Sequence, residues 1–389
     1  MARETIRFGL IGGGLMGKEF ASAAARWMHL QEVNFQPVVT AACARHQSTL
    51  DWFTDHVPTV KYTTTEYKKI LEDDSVNAVY CAVPHNLHTQ FYTDIIRTGK
   101  HLLGEKPFGM DLEANRQITA AIKEHPEVFV RCVSQFSYYP GAYQIFRWLQ
   151  DNRFGRIIEA EAGFLHCSDL NPDKPINWKR QVDINGEYGC MGDLGPHILH
   201  IPHRFNWRPR KLSAVLSNIM TERPDAEGRM VPCETWDNAL LSTEVGDKAG
   251  AFPMTLHIKR IAPGHRNTWY LKVYGTEFSA EYSTKNPAVI RYLPFEPGGG
   301  QAWREEDVPH ASAYPTNSGS IFEFGMSDAF LQMLAAYCDE LVNGPDMRQP
   351  FYCLTPEEAA RTHLLFTAAL QSQSLGQTIH PDWPETAES

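Results

Sequence analysis

At 389 residues the chain is long for one core, and its 43% hydrophobic and 21% charged residues describe a soluble globular protein, most simply of two domains. A net charge of −10 without any long basic run argues against nucleic acid as a partner, and no apolar run is long enough to cross a membrane. The eight cysteines never fall in C-x-x-C spacing and read as buried thiols of a reducing compartment; the first strand starts almost at once, leaving no room for a signal peptide, so a cytoplasmic protein is expected.

The stretch Ile6 to Gly17, IRFGLIGGGLMG, is an apolar strand followed by Gly12, Gly14 and Gly17 in G-x-G-x-x-G spacing. Gly12 permits a tight turn, Gly14 lets the backbone approach a pyrophosphate, and Gly17 lets the next helix, Lys18 to Trp27, pack closely on the strand. The phosphates would sit at that helix's N-terminus, next to Leu15 and Met16, where unpaired N–H groups favour an anion. The cofactor expected is NAD or NADP. A second β-rich run, Pro37 to Ala44, ends where an NAD site usually carries a carboxylate for the ribose; here Ala44 and Arg45 stand there, which leans toward NADP or dual use. A merely solvated Arg45 fits the spacing as well.

Helical patterning over Gln47 to Asp55 and Thr65 to Glu72 precedes a strand, Ala78 to Val83, ending in Pro84 and His85, with His88 beyond. Strands alternating with helices make an α/β, parallel, doubly wound sheet, and the C-terminal ends of such strands bind ligands, so Pro84 to His88 should face the cofactor. A helix, Thr89 to Thr98, stops at Gly99, and a short strand, His101 to Leu103, runs into Gly104-Glu105-Lys106-Pro107. A lysine at a strand end, flanked by Glu105 and Pro107, is oddly placed for a solubility residue.

GLIGGGLMG, AVPHNLH and GKHLLGEKP, at these intervals, resemble the family of glucose-fructose oxidoreductase, inositol dehydrogenase and the MocA proteins, and the resemblance covers most of the chain. It implies a Rossmann NAD(P)-binding domain over residues 1–133, closed by a helix, Asp111 to Lys123, and a strand, Val128 to Val133. Residues 134–389 would then form a substrate-binding and oligomerisation domain with a large open, mainly antiparallel sheet. It also implies Lys106 as the catalytic lysine beside the nicotinamide with Glu105 next to it, Gln135 near the cofactor, and a homodimer or homotetramer formed through the sheet.

In the second part, a helix, Tyr143 to Gln150, precedes a strand, Ile157 to Leu165, and a loop, His166 to Glu187, dense in functional groups. Such loops commonly line sites, and His166 is a candidate substrate contact; a surface loop anchored by a tryptophan is the plainer alternative. Relatives carry a tryptophan and an arginine here that touch the cofactor, which maps to Trp178 and, with lysine in the arginine's place, Lys179. They also carry an aspartate and a histidine four apart, matched by Asp193 and His197. Pro196 suits a first helical position, so His197 falls in a first turn, where the dipole disfavours imidazolium and leaves a neutral base. Asp193 is expected to precede that helix and to orient the ring or the substrate hydroxyl, while Lys106 stabilises the charge on the same oxygen.

His197, His200 and His203 with Cys190 could suit zinc, but i, i+3 positions drift around a helix and Pro202 should end or kink it, so no metal is expected. Strands at Leu212 to Asn218, Asn238 to Glu244, Met254 to Arg260 and Thr268 to Tyr274 build the sheet; Pro294 to Gly319 reads as a mobile loop. Helices follow at Met326 to Val342 and Thr355 to Gln371, and the resemblance suggests that the latter packs back near the first domain. The function expected is an NAD(P)-dependent oxidoreductase acting on a secondary hydroxyl of a sugar, cyclitol or sugar derivative. The alternative is a glycosidase using bound dinucleotide for transient oxidation, with His257, Lys259, Arg260, His265, Arg266 and Trp269 as a cluster for an anionic glycoside or, more plainly, a solvated sheet edge. A cofactor-binding regulator without turnover is disfavoured, since Lys106, Asp193 and His197 are all present.

Overall fold

The computed structural model describes residues 3–247, 250–308 and 312–383. The chain folds into two compact units, one of Met1–Gly109, Glu113–Tyr138 and Ser312–Pro356, the other of Met110–Leu112, Tyr139–Ala311 and Glu357–Ser389. The single boundary expected at residue 133 therefore differs from the observed grouping, in which the chain returns to its first unit late.

In the first unit, β1 (Glu4–Ile11), β2 (Phe35–Cys43), β3 (Tyr62–Thr64), β4 (Ala78–Cys81), β5 (His101–Gly104) and β6 (Val130–Cys132) form a six-stranded sheet in the order β3-β2-β1-β4-β5-β6. Every pairing is parallel, which gives the doubly wound sheet read from the alternation of elements. Ile6, Phe8 and Leu10 are buried on one face of the central strand and Gly9 and Ile11 on the other, as a sheet covered on both sides requires. The helices are α1 (Leu15–Ala25), α2 (Gln47–His56), α3 (Tyr67–Leu71), α4 (His88–Arg97) and α5 (Leu112–Glu124). Phe20 of α1 stacks on Tyr80 of β4 at 4.2 Å and meets Phe8 edge-on at 5.0 Å, fixing helix to sheet.

The second unit begins with α6 (Pro140–Gln150) and β7 (Ile157–His166), followed by α7 (Val182–Asn185), α8 (Cys190–Leu194) and α9 (Pro196–Arg204). Its strands continue as β8 (Arg208–Ser217), β9 (Glu222–Pro224), β10 (Met230–Pro232), β11 (Asn238–Asp247), β12 (Gly250–Lys259), β13 (Asn267–Gly275), β14 (Phe278–Ser283), β15 (Val289–Pro294) and β16 (Arg304–Asp307). Eight of them make one sheet, β16-β15-β14-β13-β7-β12-β11-β8, antiparallel except where β12 runs parallel to β7, and β9 and β10 pair as a separate ribbon. Phe252, Met254, Leu256 and Ile258 alternate along β12 onto the buried face, against which α8 and α9 pack.

The stretch expected as a loop, Pro294 to Gly319, contains β16, whose four residues are all exposed; residues 309–311 of it lie outside the described residues. Charged side chains at an edge strand discourage further pairing, which is why REED reads as solvated chain. The last helices are α10 (Met326–Asn343), which groups with the first unit, and α11 (Pro356–Leu375), which from Glu357 onward groups with the second. The helix that groups with the first unit is thus α10. α10 packs on α1 and β2, and its Ala329 to Asp339 are buried without interruption.

Candidate active site

The glycine loop separates cleanly by function. Gly12 has φ +104°, and a Cβ there would stand 2.2 Å from the Ala82 carbonyl oxygen; a Cβ at Gly17 would stand 2.2 Å from the carbonyl oxygen of Gly12. Both glycines are demanded by the fold itself. At Gly14 nothing lies within 4 Å of where a Cβ would be, so its side of the turn is open to whatever approaches. Gly14 caps α1 without a side-chain hydrogen bond, and the first turn of α1 carries no acidic residue, so its N–H groups face no built-in anion. This cradle fits a dinucleotide pyrophosphate. Leu15 is exposed and Met16 half-buried at the start of α1, and Arg45 is exposed just beyond the end of β2.

Around β4 and β5 the structure distinguishes surface from support. Pro84 is half-buried and opens a 3-10 turn, His85–Leu87. His88 is fully buried: its Nε2 lies 3.1 Å from the Val83 carbonyl oxygen, its Nδ1 accepts from the Gly109 N–H at 3.4 Å, and its ring stacks on Tyr92 at 4.7 Å. It braces the loops after β4 and β5. Glu105 is buried as well, accepting from the Tyr80 hydroxyl at 2.7 Å, while the Tyr92 hydroxyl donates to its carbonyl oxygen at 2.8 Å. Lys106, next in sequence and half-buried, is therefore mounted on a rigid base. Gln135 is buried in a 3-10 turn, Gln135–Tyr138, and its Oε1 has no hydrogen-bond partner among the described residues.

In the second unit the polar cluster centres on Asp193, which is 1% exposed. The Lys179 ammonium donates to both carboxylate oxygens, at 2.9 and 3.1 Å, and Arg260 Nη2 donates to Oδ2 at 2.8 Å. Asn177 caps the 3-10 turn Trp178–Arg180 by accepting from the Lys179 N–H at 3.0 Å, which aims the lysine; Trp178 is half-buried beside it. His166, the last residue of β7, accepts from the Ser168 N–H at Nδ1, 2.8 Å away, leaving Nε2–H as a donor. Burial, then Arg260 and Lys179, push its imidazole below the ordinary value, so it stays neutral. His197 is 4% exposed, its carbonyl oxygen accepts from Trp269 Nε1 at 2.8 Å, and its ring lies 5.3 Å from that of Phe164.

This segment is more helical than expected. Asp193 precedes α9, as expected, but lies in a short helix of its own, α8, and Gly195 has helical φ −65° and ψ −35°, so α8 runs almost directly into α9. Pro196 opens α9 and His197 falls in its first turn, as expected, but the Gly195 N–H donates to Met191 O and the Ile198 N–H to Gly195 O, so α8 abuts this helix end and the dipole argument for a neutral base is weakened. Nor does Pro202 end α9, which continues to Arg204. His200 Nε2 is met by Arg204 Nη2 at 2.9 Å and His203 Nε2 by Thr362 Oγ1 at 2.9 Å, while burial raises the Cys190 thiol to about 12. The six-residue basic cluster also divides: Arg260 and Trp269 are buried on the covered face of the sheet, whereas His257 and Lys259 alternate onto the other.

Set against known proteins, residues 6–131 match the GFO/IDH/MocA model of the NAD-binding Rossmann-fold oxidoreductases, and residues 143–281 match the GFO/IDH/MocA C-terminal domain. The chain belongs to the GFO/IDH/MocA oxidoreductase family. Among its relatives in this family is the levoglucosan dehydrogenase of Pseudarthrobacter phenanthrenivorans, 24% identical over 304 residues that cover 72% of this chain and 74% of that one. Another relative is the alpha-N-acetylgalactosaminidase of Shewanella oneidensis, 25% identical over 50% of this chain and 43% of that one. A solved levoglucosan dehydrogenase in complex with NADH shares the fold with a TM-score of 0.85 at 19% identity, covering 97% of this chain and 100% of that chain. The first unit is thus the family's NAD-binding domain.

Among the residues around Asp193, sequence reading missed the placement of Arg260. Its signal was present: Met254, Leu256 and Ile258 set the covered face of β12, and the same alternation carries Arg260 inward. Asp169 was missed as well; it is 1% exposed and accepts from Lys174 Nζ at 2.8 Å. Burial would raise its carboxyl, but Lys174 and Arg260 hold it below the usual carboxylate range. No periodicity marks it, because it lies in an irregular loop.

Proposed function

We propose that this GFO/IDH/MocA protein is an NAD(P)-dependent dehydrogenase that moves a hydride between the cofactor and a secondary hydroxyl of a sugar, cyclitol or sugar derivative. The observation that carries the reading is the polar cluster of Asp193, Lys179, Arg260 and His166, with His197 one helical turn beyond Asp193, in a chain whose NAD-binding unit presents Lys106 at a strand end. Bound dinucleotide supplies the hydride acceptor at the nicotinamide. The Gly12 to Met16 turn would hold the pyrophosphate, and Pro84, Gln135 and Trp178 would complete the cofactor contacts. His197 takes the proton of the reacting hydroxyl. Lys106 stabilises the oxygen as it gains charge, and Asp193 accepts a hydrogen bond that orients the sugar. His166 donates from Nε2 to a neighbouring hydroxyl, a role its depressed imidazole keeps available at neutral pH.

The test is to incubate the protein with NAD⁺ or NADP⁺ and a panel of sugars and glycosides, following reduced cofactor and released aglycone together. Reduced cofactor in step with oxidised sugar supports the dehydrogenase. The likeness to the alpha-N-acetylgalactosaminidase favours one second reading, a redox-neutral glycosidase, for which aglycone would appear without reduced cofactor accumulating.

A further inference from the structure

Two cations hold Asp193, and they are not equivalent. Lys179 has 35% of its side chain exposed and reaches the carboxylate on a flexible stem, whereas the Arg260 side chain is 3% exposed and buried with its partner. The Arg260 backbone is itself fixed, its N–H donating to Asp237 O at 2.8 Å, directly beyond the last residue of β12. A planar guanidinium in a dry setting fixes the direction of a carboxylate; a solvent-side ammonium can leave it and return.

The guanidinium also has a second carboxylate to support it. Burial works against its charge, yet Asp193 and then Asp169 outweigh that and raise it above the ordinary arginine value. Two further titratable groups near Asp193 are uncharged at neutral pH: the His166 imidazole is pushed down, and the Cys190 thiol is pushed up to about 12. His197 follows four residues later on the α8 to α9 path.

We propose that Arg260 is a positioning residue of the reaction: through its buried hydrogen bond it fixes Asp193 as an anion of set orientation, so that Asp193 receives the substrate hydroxyl and leaves proton transfer to His197. The role rests on the dehydrogenase reading above. Lys179 is the exchangeable partner, and Arg260 the permanent one.

The experiment is a pH profile of kcat/KM for the wild type, Arg260→Met, Arg260→Lys, Asp193→Asn and the Arg260→Met/Asp193→Asn double variant, with NADH binding followed by fluorescence. Arg260→Met is expected to lose roughly 10- to 100-fold, chiefly in kcat, and to move the acid limb up by about one pH unit, because the carboxylate then loses its buried cation while Lys179 is screened by solvent. Arg260→Lys should recover most of the loss, and in the Asp193→Asn background Arg260→Met should cost less than about threefold more. NADH binding should stay within about twofold throughout. Losses that multiply, an acid limb that stays in place, or NADH binding that falls in parallel would overturn the role. If the methionine variant does not fold, Arg260→Gln carries the same cycle. A wild type without turnover overturns the dehydrogenase reading and this role with it, whereas turnover untouched by Arg260→Met overturns this role alone.

Discussion

Gly12 and Gly14 stand two residues apart and answer to different demands. A side chain at Gly12 would meet a backbone carbonyl and would need a φ that L-residues rarely adopt, while Gly14 borders open space. Gly14→Ala is therefore expected to keep its melting temperature within a degree or two yet weaken NADH binding at least tenfold, whereas Gly12→Ala should lose both; calorimetry and NADH fluorescence together check this. His203 offers a second residue-level expectation. Burial, then Arg361 and its neighbours, lower its imidazole to about 3 from an ordinary 6.5. The unfolded chain takes up that proton below pH 6.5 and the folded chain does not, so the contribution is complete above pH 6.5 and is lost as the pH falls toward 3, at up to about 1.4 kcal/mol per pH unit. Chemical denaturation of the wild type and His203→Gln between pH 7 and 4 should show a flatter fall for the variant. Single residues were legible where one local rule governs them, as with the glycines and with Lys106 just beyond the end of β5, whereas the Asp193–His197 pair was marked by the family resemblance and its role is a proposal. The support beneath them was not legible, because His88 and Glu105 look like site residues in sequence and only packing shows them buried.

At the scale of elements, the parallel strands β1, β2, β4 and β5 announce themselves by apolar runs between helices, and the structure matches that reading. What sequence leaves out is destination. The apolar pattern of α10 says that it is buried, not against what, and the chain's return to the NAD-binding unit emerges only from its partners. Gln332 on this helix clasps the returning segment: its Oε1 accepts from the Tyr314 N–H at 2.6 Å and its Nε2 donates to Tyr314 O at 2.7 Å, both buried. Gln332→Leu strands a backbone donor and acceptor and is expected to destabilise the first unit by about 2–4 kcal/mol, read from urea unfolding. In the second unit β14 and β15 escaped sequence reading because they are short and follow one another through tight turns. The helical segment at Cys190–Leu194 escaped because it is short, Gly192 interrupts its pattern, and Gly189 and Gly195 flank it.

For the whole molecule, the family's NAD-binding domain and mixed eight-stranded sheet are established, and the chemistry is a reading of side chains placed by that fold. The sheet's uncovered face carries exposed apolar residues, with Leu240 and Val215 opposite each other on β11 and β8. Pairing of subunits through this face is the proposal carried over from the sequence, and Val215→Glu should shift a dimer or tetramer toward monomer in light scattering. The proposed chemistry is tested most directly by isotope transfer. With the sugar selected by the panel labelled with deuterium at the carbon that bears the reacting hydroxyl, mass spectrometry follows where the label goes. The dehydrogenase reading predicts one deuterium on the reduced cofactor for each oxidised sugar formed. Label that remains on the sugar carbon while an aglycone is released would contradict it and establish the glycosidase.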